Sequence, residues 1–153
     1  MAASTAAGVA TGHVGLNVSD LERSRTFYTE IFGFQVAAES NQEGRRFTLL
    51  GDGQKLVLTL WQQSQGRFEA KKPGLHHLSF QVADIGQVRD FERRLKERNV
   101  RFAYDGIVPH GAGAESGGIF FEDPDGIRLE IFAPSGANQK AAPVADGPTC
   151  GFF

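Results

Sequence analysis

Two histidines and a glutamate are the residues best suited, in type and place, to hold a divalent cation: His13, His77 and Glu130. His13 opens the stretch His13-Val14-Gly15-Leu16-Asn17-Val18-Ser19-Asp20, and His77 opens His77-Leu78-Ser79-Phe80-Gln81-Val82-Ala83-Asp84, 64 positions later. In both, apolar residues alternate with small or polar ones, the period of a half-buried strand. Both imidazoles therefore fall on the face turned away from the core. In Ile127-Arg128-Leu129-Glu130-Ile131-Phe132 the same alternation puts Ile127, Leu129 and Ile131 on the core face and Arg128, Glu130 and Phe132 on the other. If each half of the chain curls, His77 and Glu130 share one concave surface, and His13 arrives from the equivalent strand of a second module. Two imidazoles and a carboxylate suit Fe(II), Mn(II), Ni(II), Co(II) or Zn(II) and leave positions open for a chelating substrate or dioxygen. One strand histidine with a local hydrogen bond needs no metal. A matched pair with an inward carboxylate favours one.

The elements that must position these groups repeat in order. A strand from about Gly12 to Val18 is followed by Asp20, suited to cap a helix through Phe32 with Leu21, Phe27, Tyr28 and Ile31 as its apolar stripe. Gly33 stops it. Strands follow near Gln35–Glu39, Arg45–Leu50 and Lys55–Trp61. The second half has a strand at His76–Val82, a helix from Asp84 to about Asn99, and strands near Arg101–Tyr104, Gly118–Glu122 and Ile127–Phe132. The Asp-Gly pairs at 52–53 and 125–126 are 73 apart, which implies about nine extra residues in the second copy, most naturally in the Gly-rich segment 105–118. The fold class expected is α+β, two tandem βαβββ modules forming a curved mixed sheet around a cleft. The expected boundaries are a flexible leader over 1–11, a first module over 12–62, a linker over 63–75, a second module over 76–134 and a mobile tail over 135–153.

Composition narrows the partners. With 22% charged residues and a net charge of −2, the chain offers no electrostatic footprint for nucleic acid or an anionic membrane. No apolar run approaches a spanning helix, and the opening residues lack an export signal. The single cysteine, Cys150, excludes an internal disulfide and suits a reducing compartment, so the expected location is cytoplasmic.

The repeat, the Phe-Tyr-x-x-x-Phe-Gly-Phe of residues 27–34 and the Asp-Pro-Asp-Gly-x-x-x-Glu of 123–130 resemble the vicinal oxygen chelate superfamily, also called the glyoxalase, bleomycin-resistance and dioxygenase superfamily. The resemblance covers roughly residues 12–134. It implies His13, His77 and Glu130 as metal ligands, and a homodimer whose sites take His13 from one chain and His77 and Glu130 from the other. It also narrows the reaction. Glyoxalase-type isomerases carry a second carboxylate on the last strand of the first module. Counted from the Asp-Gly turns that place is Val57, which disfavours isomerase chemistry. Ring-cleaving dioxygenases and fosfomycin-modifying enzymes tend to have a tyrosine ten residues before the glutamate, where this chain has Phe120.

The remaining candidates are weighed residue by residue. His76 competes with His77, but the repeat register aligns His77 with His13, and a one-residue slip turns the ring to the other face. His110, in a Gly-rich loop, is a candidate general acid or base on a lid, and equally an exposed loop histidine. Trp61, Arg128 and Phe120 are candidate substrate contacts. The first function expected is a metal-dependent enzyme acting on a small oxygen-chelating substrate, dioxygenase- or lyase-like. The alternatives are a protein that sequesters an antibiotic in an aromatic cleft without metal, and a fosfomycin-type thiol transferase.

Overall fold

The structure, a computed structural model, describes residues 8–153, so most of the expected leader lies outside the described residues. The chain divides into two compact units, one ending at Gln65 and the other beginning at Gly66. Each unit is a βαβββ module, as the alternating patterns imply.

In the first unit β1 (Val14–Asn17) leads to α1 (Leu21–Phe32), then to β2 (Gln35–Ser40), β3 (Phe47–Gly51) and β4 (Leu56–Trp61). The sheet order is β1-β4-β3-β2, with β1 parallel to β4 and the other pairs antiparallel. The Asp20 side chain accepts from the Arg23 amide, and Gly33 ends α1 in the left-handed region at φ 73°. Leu21, Phe27, Tyr28 and Ile31 are buried, with Leu50, Leu58 and Leu60 of the sheet completing the core.

The second unit repeats this with β5 (Leu78–Gln81), α2 (Ile85–Glu97), β6 (Val108–Pro109), β7 (Gly117–Glu122) and β8 (Arg128–Ala133). Its order is β5-β8-β7-β6, with β5 parallel to β8. The Asp84 side chain accepts from the Gln87 amide, the same cap as Asp20. Val88 and Leu95 of α2 are buried, as are Ile119, Phe121, Leu129 and Ile131 of the sheet. Phe91, expected in that stripe, is half-buried, with the Arg94 guanidinium 4.3 Å from its ring centroid. Ahead of β5, Arg67 pairs with Glu122 at 3.3 Å and the Phe68 amide donates to the Asp125 carbonyl at 2.8 Å.

Two local expectations change. The strand expected at Arg101–Tyr104 is broken. The Glu122 amide donates to the Arg101 carbonyl and the Ala103 amide to the Phe120 carbonyl, but only Phe102 and Phe121 form a bridge. The chain then detours through Gly106 at φ 71° and rejoins β7 as β6, pairing Val108 with Gly118 and Pro109 with Gly117. Gly117 and Gly118 permit this crowding, because a Cβ at either would run into the backbone of the adjoining strand.

The second change concerns register. The Asp52 carboxylate accepts from the amides of Gln54 and Lys55, and the Asp123 carboxylate from those of Asp125 and Ile127. Asp52 therefore corresponds to Asp123, the first aspartate of its turn, and not to Asp125. The offset is 71 (123 − 52) and not 73, so the second copy has about seven extra residues. The strand pairing agrees: Gly15 lies beside Thr59 in the first unit as Ser79 lies beside Glu130 in the second. Thr59, and not Val57, is the counterpart of Glu130.

The segment expected to be a mobile tail is also packed. It carries a single 3-10 turn at Thr149–Gly151, and Ala137 and Thr149 are fully buried.

Candidate metal centre

Glu130 is the middle of the site. It lies in β8 opposite Phe120 of β7 and beside Ser79 of β5, and only 3% of its surface is exposed. A buried carboxylate is costly unless positive charge or several donors face it. Two imidazoles do. His110 Nε2 bonds Oε1, and His77 Nε2 lies 3.7 Å from Oε2.

Both histidine rings are held by hydrogen bonds at their second nitrogen. A carboxylate oxygen accepts, so His110 donates from Nε2, while its Nδ1 is held by the Ser116 hydroxyl at 2.9 Å. The backbone of His110 is held as well, its amide donating to the Ser116 carbonyl at 2.9 Å. His110 thus stands on an anchored segment directly after β6, where a loose lid was one expectation. His77 Nδ1 lies 2.8 Å from His76 Nδ1. When His77 donates in that pair, its Nε2 lone pair faces Glu130. Burial holds the His77 imidazole below its ordinary value; Glu130 offsets this in part, while His76 and Arg128 add to it. The result is a neutral ring near pH 7, the form that ligates metal. His76, whose role was open, fixes the ring of its neighbour.

Cys150, His77 and Glu130 each present a ligating atom, and all three lie within 4.8 Å of one another. The residues present therefore fit a divalent ion: a buried carboxylate, a neutral imidazole and a thiol converge. The other expected residues are placed as follows. Arg128 donates to the main-chain oxygen of Phe153. Phe120 is fully buried, its ring 5.0 Å from that of Phe153 and 5.5 Å from that of Tyr104. Trp61 is in the first unit, where its Nε1 donates to Thr59 Oγ1 at 2.9 Å and its ring packs 5.4 Å from Phe47. His13 is also in the first unit, exposed and just ahead of β1.

A family model described as the Glyoxalase/Bleomycin resistance protein/Dioxygenase superfamily matches residues 10–131. The chain belongs to that superfamily. Among superfamily relatives, the catechol-2,3-dioxygenase of Bacillus subtilis is 28% identical over 124 residues, 80% of this chain but 40% of that protein. The chain thus spans less than half the length of that relative. The trivalent organoarsenical cleaving enzyme of Bacillus sp. (strain MD1) is 31% identical over 120 residues, 78% of this chain and 70% of that protein. A crystal structure of a glyoxylase/bleomycin resistance protein/dioxygenase domain from Frankia sp. EAN1pec has a TM-score of 0.69 at 27% identity, covering 82% of this chain and 98% of that one.

Sequence reasoning missed Cys150, Ser116, Tyr104 and the end of the tail. One signal was available: Cys150, Phe152 and Phe153 cluster within a tail otherwise polar or small. No helix among the described residues is long and apolar enough to cross a membrane.

Proposed function

We propose that this superfamily member is a divalent-metal-dependent enzyme acting on a small substrate that chelates the metal through oxygen atoms, with dioxygenase- or lyase-like chemistry. The observation that carries the reading is the buried Glu130 carboxylate facing two imidazoles. His77 and Glu130 hold the ion, and His13 of a second copy of the chain is the third ligand by its matched place in the repeat. When bound, Fe(II), Mn(II), Ni(II), Co(II) or Zn(II) supplies Lewis-acid stabilisation of negative charge developing on substrate oxygens.

The chain's own residues do the rest. His110 acts through Glu130: its Nε2–H fixes Oε1, and Ser116 fixes the ring. It is a positioning residue while that bond lasts. Phe120, fully buried opposite Glu130, sets an apolar ring beside the carboxylate that keeps water away and strengthens the electrostatics there. With a phenylalanine at 120, substrate orientation falls to the metal and to shape. The relatives' dioxygenase and organoarsenical-cleaving activities define the substrates to try first. The active species is a homodimer in this reading.

Metal content of protein purified without chelator tests it. About one ion per chain, lost in Glu130→Ala and accompanied by metal-dependent turnover of catechols or organoarsenicals, is the expected result. Tight binding of an aromatic antibiotic with no metal taken up from Fe(II), Mn(II), Ni(II), Co(II) or Zn(II) would establish sequestration instead.

A further inference from the structure

The segment 148–153 is built into the second unit's site by several independent contacts. Thr149 is fully buried; its Oγ1 donates to the Pro109 carbonyl at 2.6 Å and its amide to the His110 carbonyl at 2.7 Å. Its own carbonyl accepts from the Tyr104 hydroxyl at 3.1 Å. Three bonds on one residue fix the position of the next, Cys150. At the end of the segment the Phe153 ring lies 5.6 Å from His77 and 5.0 Å from Phe120, and Arg128 grips its main-chain oxygen. The thiol is thereby delivered to the side of Glu130 that His77 also faces.

We propose that Cys150 is a protein ligand of the metal held by His77 and Glu130, so that the tail supplies a thiolate to the resting site. The inference rests on the metal-enzyme reading above. It extends that reading with a residue outside the span matched by the family model. The distances suit it. Metal–ligand bonds of about 2.0–2.3 Å put opposed ligand atoms at most about 4.4 Å apart. The three groups, within 4.8 Å of one another, need only a small closure around an ion. On coordination the thiol proton leaves to solvent and the sulfur lone pair forms the metal bond, with no change of oxidation state. A soft ligand added to imidazole and carboxylate biases the site toward Zn(II), Co(II) or Fe(II) over Mg(II) or Mn(II).

The test is cobalt substitution of the full chain. Apo protein is titrated with Co(II), bound metal is measured by equilibrium dialysis, and the near-ultraviolet thiolate-to-cobalt charge-transfer absorption is recorded. The expected result is a band that grows with bound Co(II) and is lost in Cys150→Ser, which still binds Co(II) but more weakly. Thr149→Val, which keeps the thiol but removes its neighbour's hydroxyl bond, should lower the band per bound cobalt. Co(II) bound in a His77-dependent manner with no thiolate band overturns this inference and leaves the metal-enzyme reading intact. No Co(II) bound at all overturns both.

Discussion

The two units carry the same frame and opposite contents. At the counterparts of Ser79 and Glu130 the first unit has Gly15 and Thr59, and the Thr59 hydroxyl accepts from the Trp61 indole at 2.9 Å. Where the first unit sets Phe47 against Trp61, with rings 5.4 Å apart, the second sets Gly118 opposite Phe132. The ring packed on Phe132 is that of His110, 4.9 Å away. A polar pair closed by its own neighbours has thus been exchanged for a buried carboxylate with imidazoles around it. The exchange needed new backbone. The roughly seven extra residues ahead of β7 bring in His110 and Ser116, and the tail brings in Cys150. The lesson is that sheet register sets where a site can be, while insertions outside the repeat decide whether it is one.

Gly118→Ala is the harshest way to test that division. In the second unit a methyl group at 118 would collide with the backbone of β8, whereas the first unit carries a full phenyl ring at the corresponding Phe47. The expected cost is about 3 kcal/mol, from overpacking that the strand cannot relieve. Urea denaturation with unchanged m-value and a lowered midpoint would show it. A neutral result would mean that β7 and β8 are not as closely apposed as the pairing of Gly118 with Phe132 implies.

His110→Ala comes next. It removes the donor that orients Glu130 without removing a proposed ligand. Metal affinity should fall about ten- to hundredfold, the usual cost of losing a partner behind a ligand. Ser116→Ala, which only frees the far side of the ring, should lose less. If His110→Ala bound metal as well as the parent, the inserted loop would not belong to the site.

How much of this was legible beforehand follows from what each signal encodes. Strand alternation and the capping aspartates Asp20 and Asp84 are local, so the repeat, the helices and the direction of His77 and Glu130 could be read directly. The register of the first unit could not be read from its Asp-Gly pair. Asp52 performs the turn chemistry of Asp123, with its carboxylate on two amides, and a shift of two preserves parity. Counting from the Asp-Gly pair therefore puts Val57 on the right face of the strand but two residues from the counterpart of Glu130. The roles of His110 and Cys150 were hidden for another reason. Both depend on long-range contacts, Thr149 with Pro109 and His110 with Glu130, that no periodicity announces. A polar Gly/Pro tail reads as mobile because composition does not reveal three hydrogen bonds converging on one threonine.

Thr59→Val probes the quieter unit. It keeps the shape of the side chain and removes the acceptor of the Trp61 indole, which is partly exposed and can turn to water in compensation. The expected loss is about 1 kcal/mol of stability, with metal affinity unchanged. A drop in metal affinity would place Thr59 in the site's machinery and erase the contrast with Glu130.

The smallest effect concerns His77 and pH. Its pKa is lowered in the folded chain, burial being the main cause, while in the unfolded chain it titrates near 6.5. Above that ordinary value both states hold the neutral ring and the group adds no pH dependence. As pH falls through the window beneath it, the unfolded chain takes up a proton that the folded chain still refuses, so stability declines. The decline stops below the folded value, where both states are protonated. The metal-free parent should therefore lose more stability between pH 7.5 and pH 5.5 than His77→Gln, as the difference in urea midpoints at each pH. Identical pH curves for the two proteins would mean that the His77 ring is as open to solvent as exposed His13, contrary to the contrast between the units.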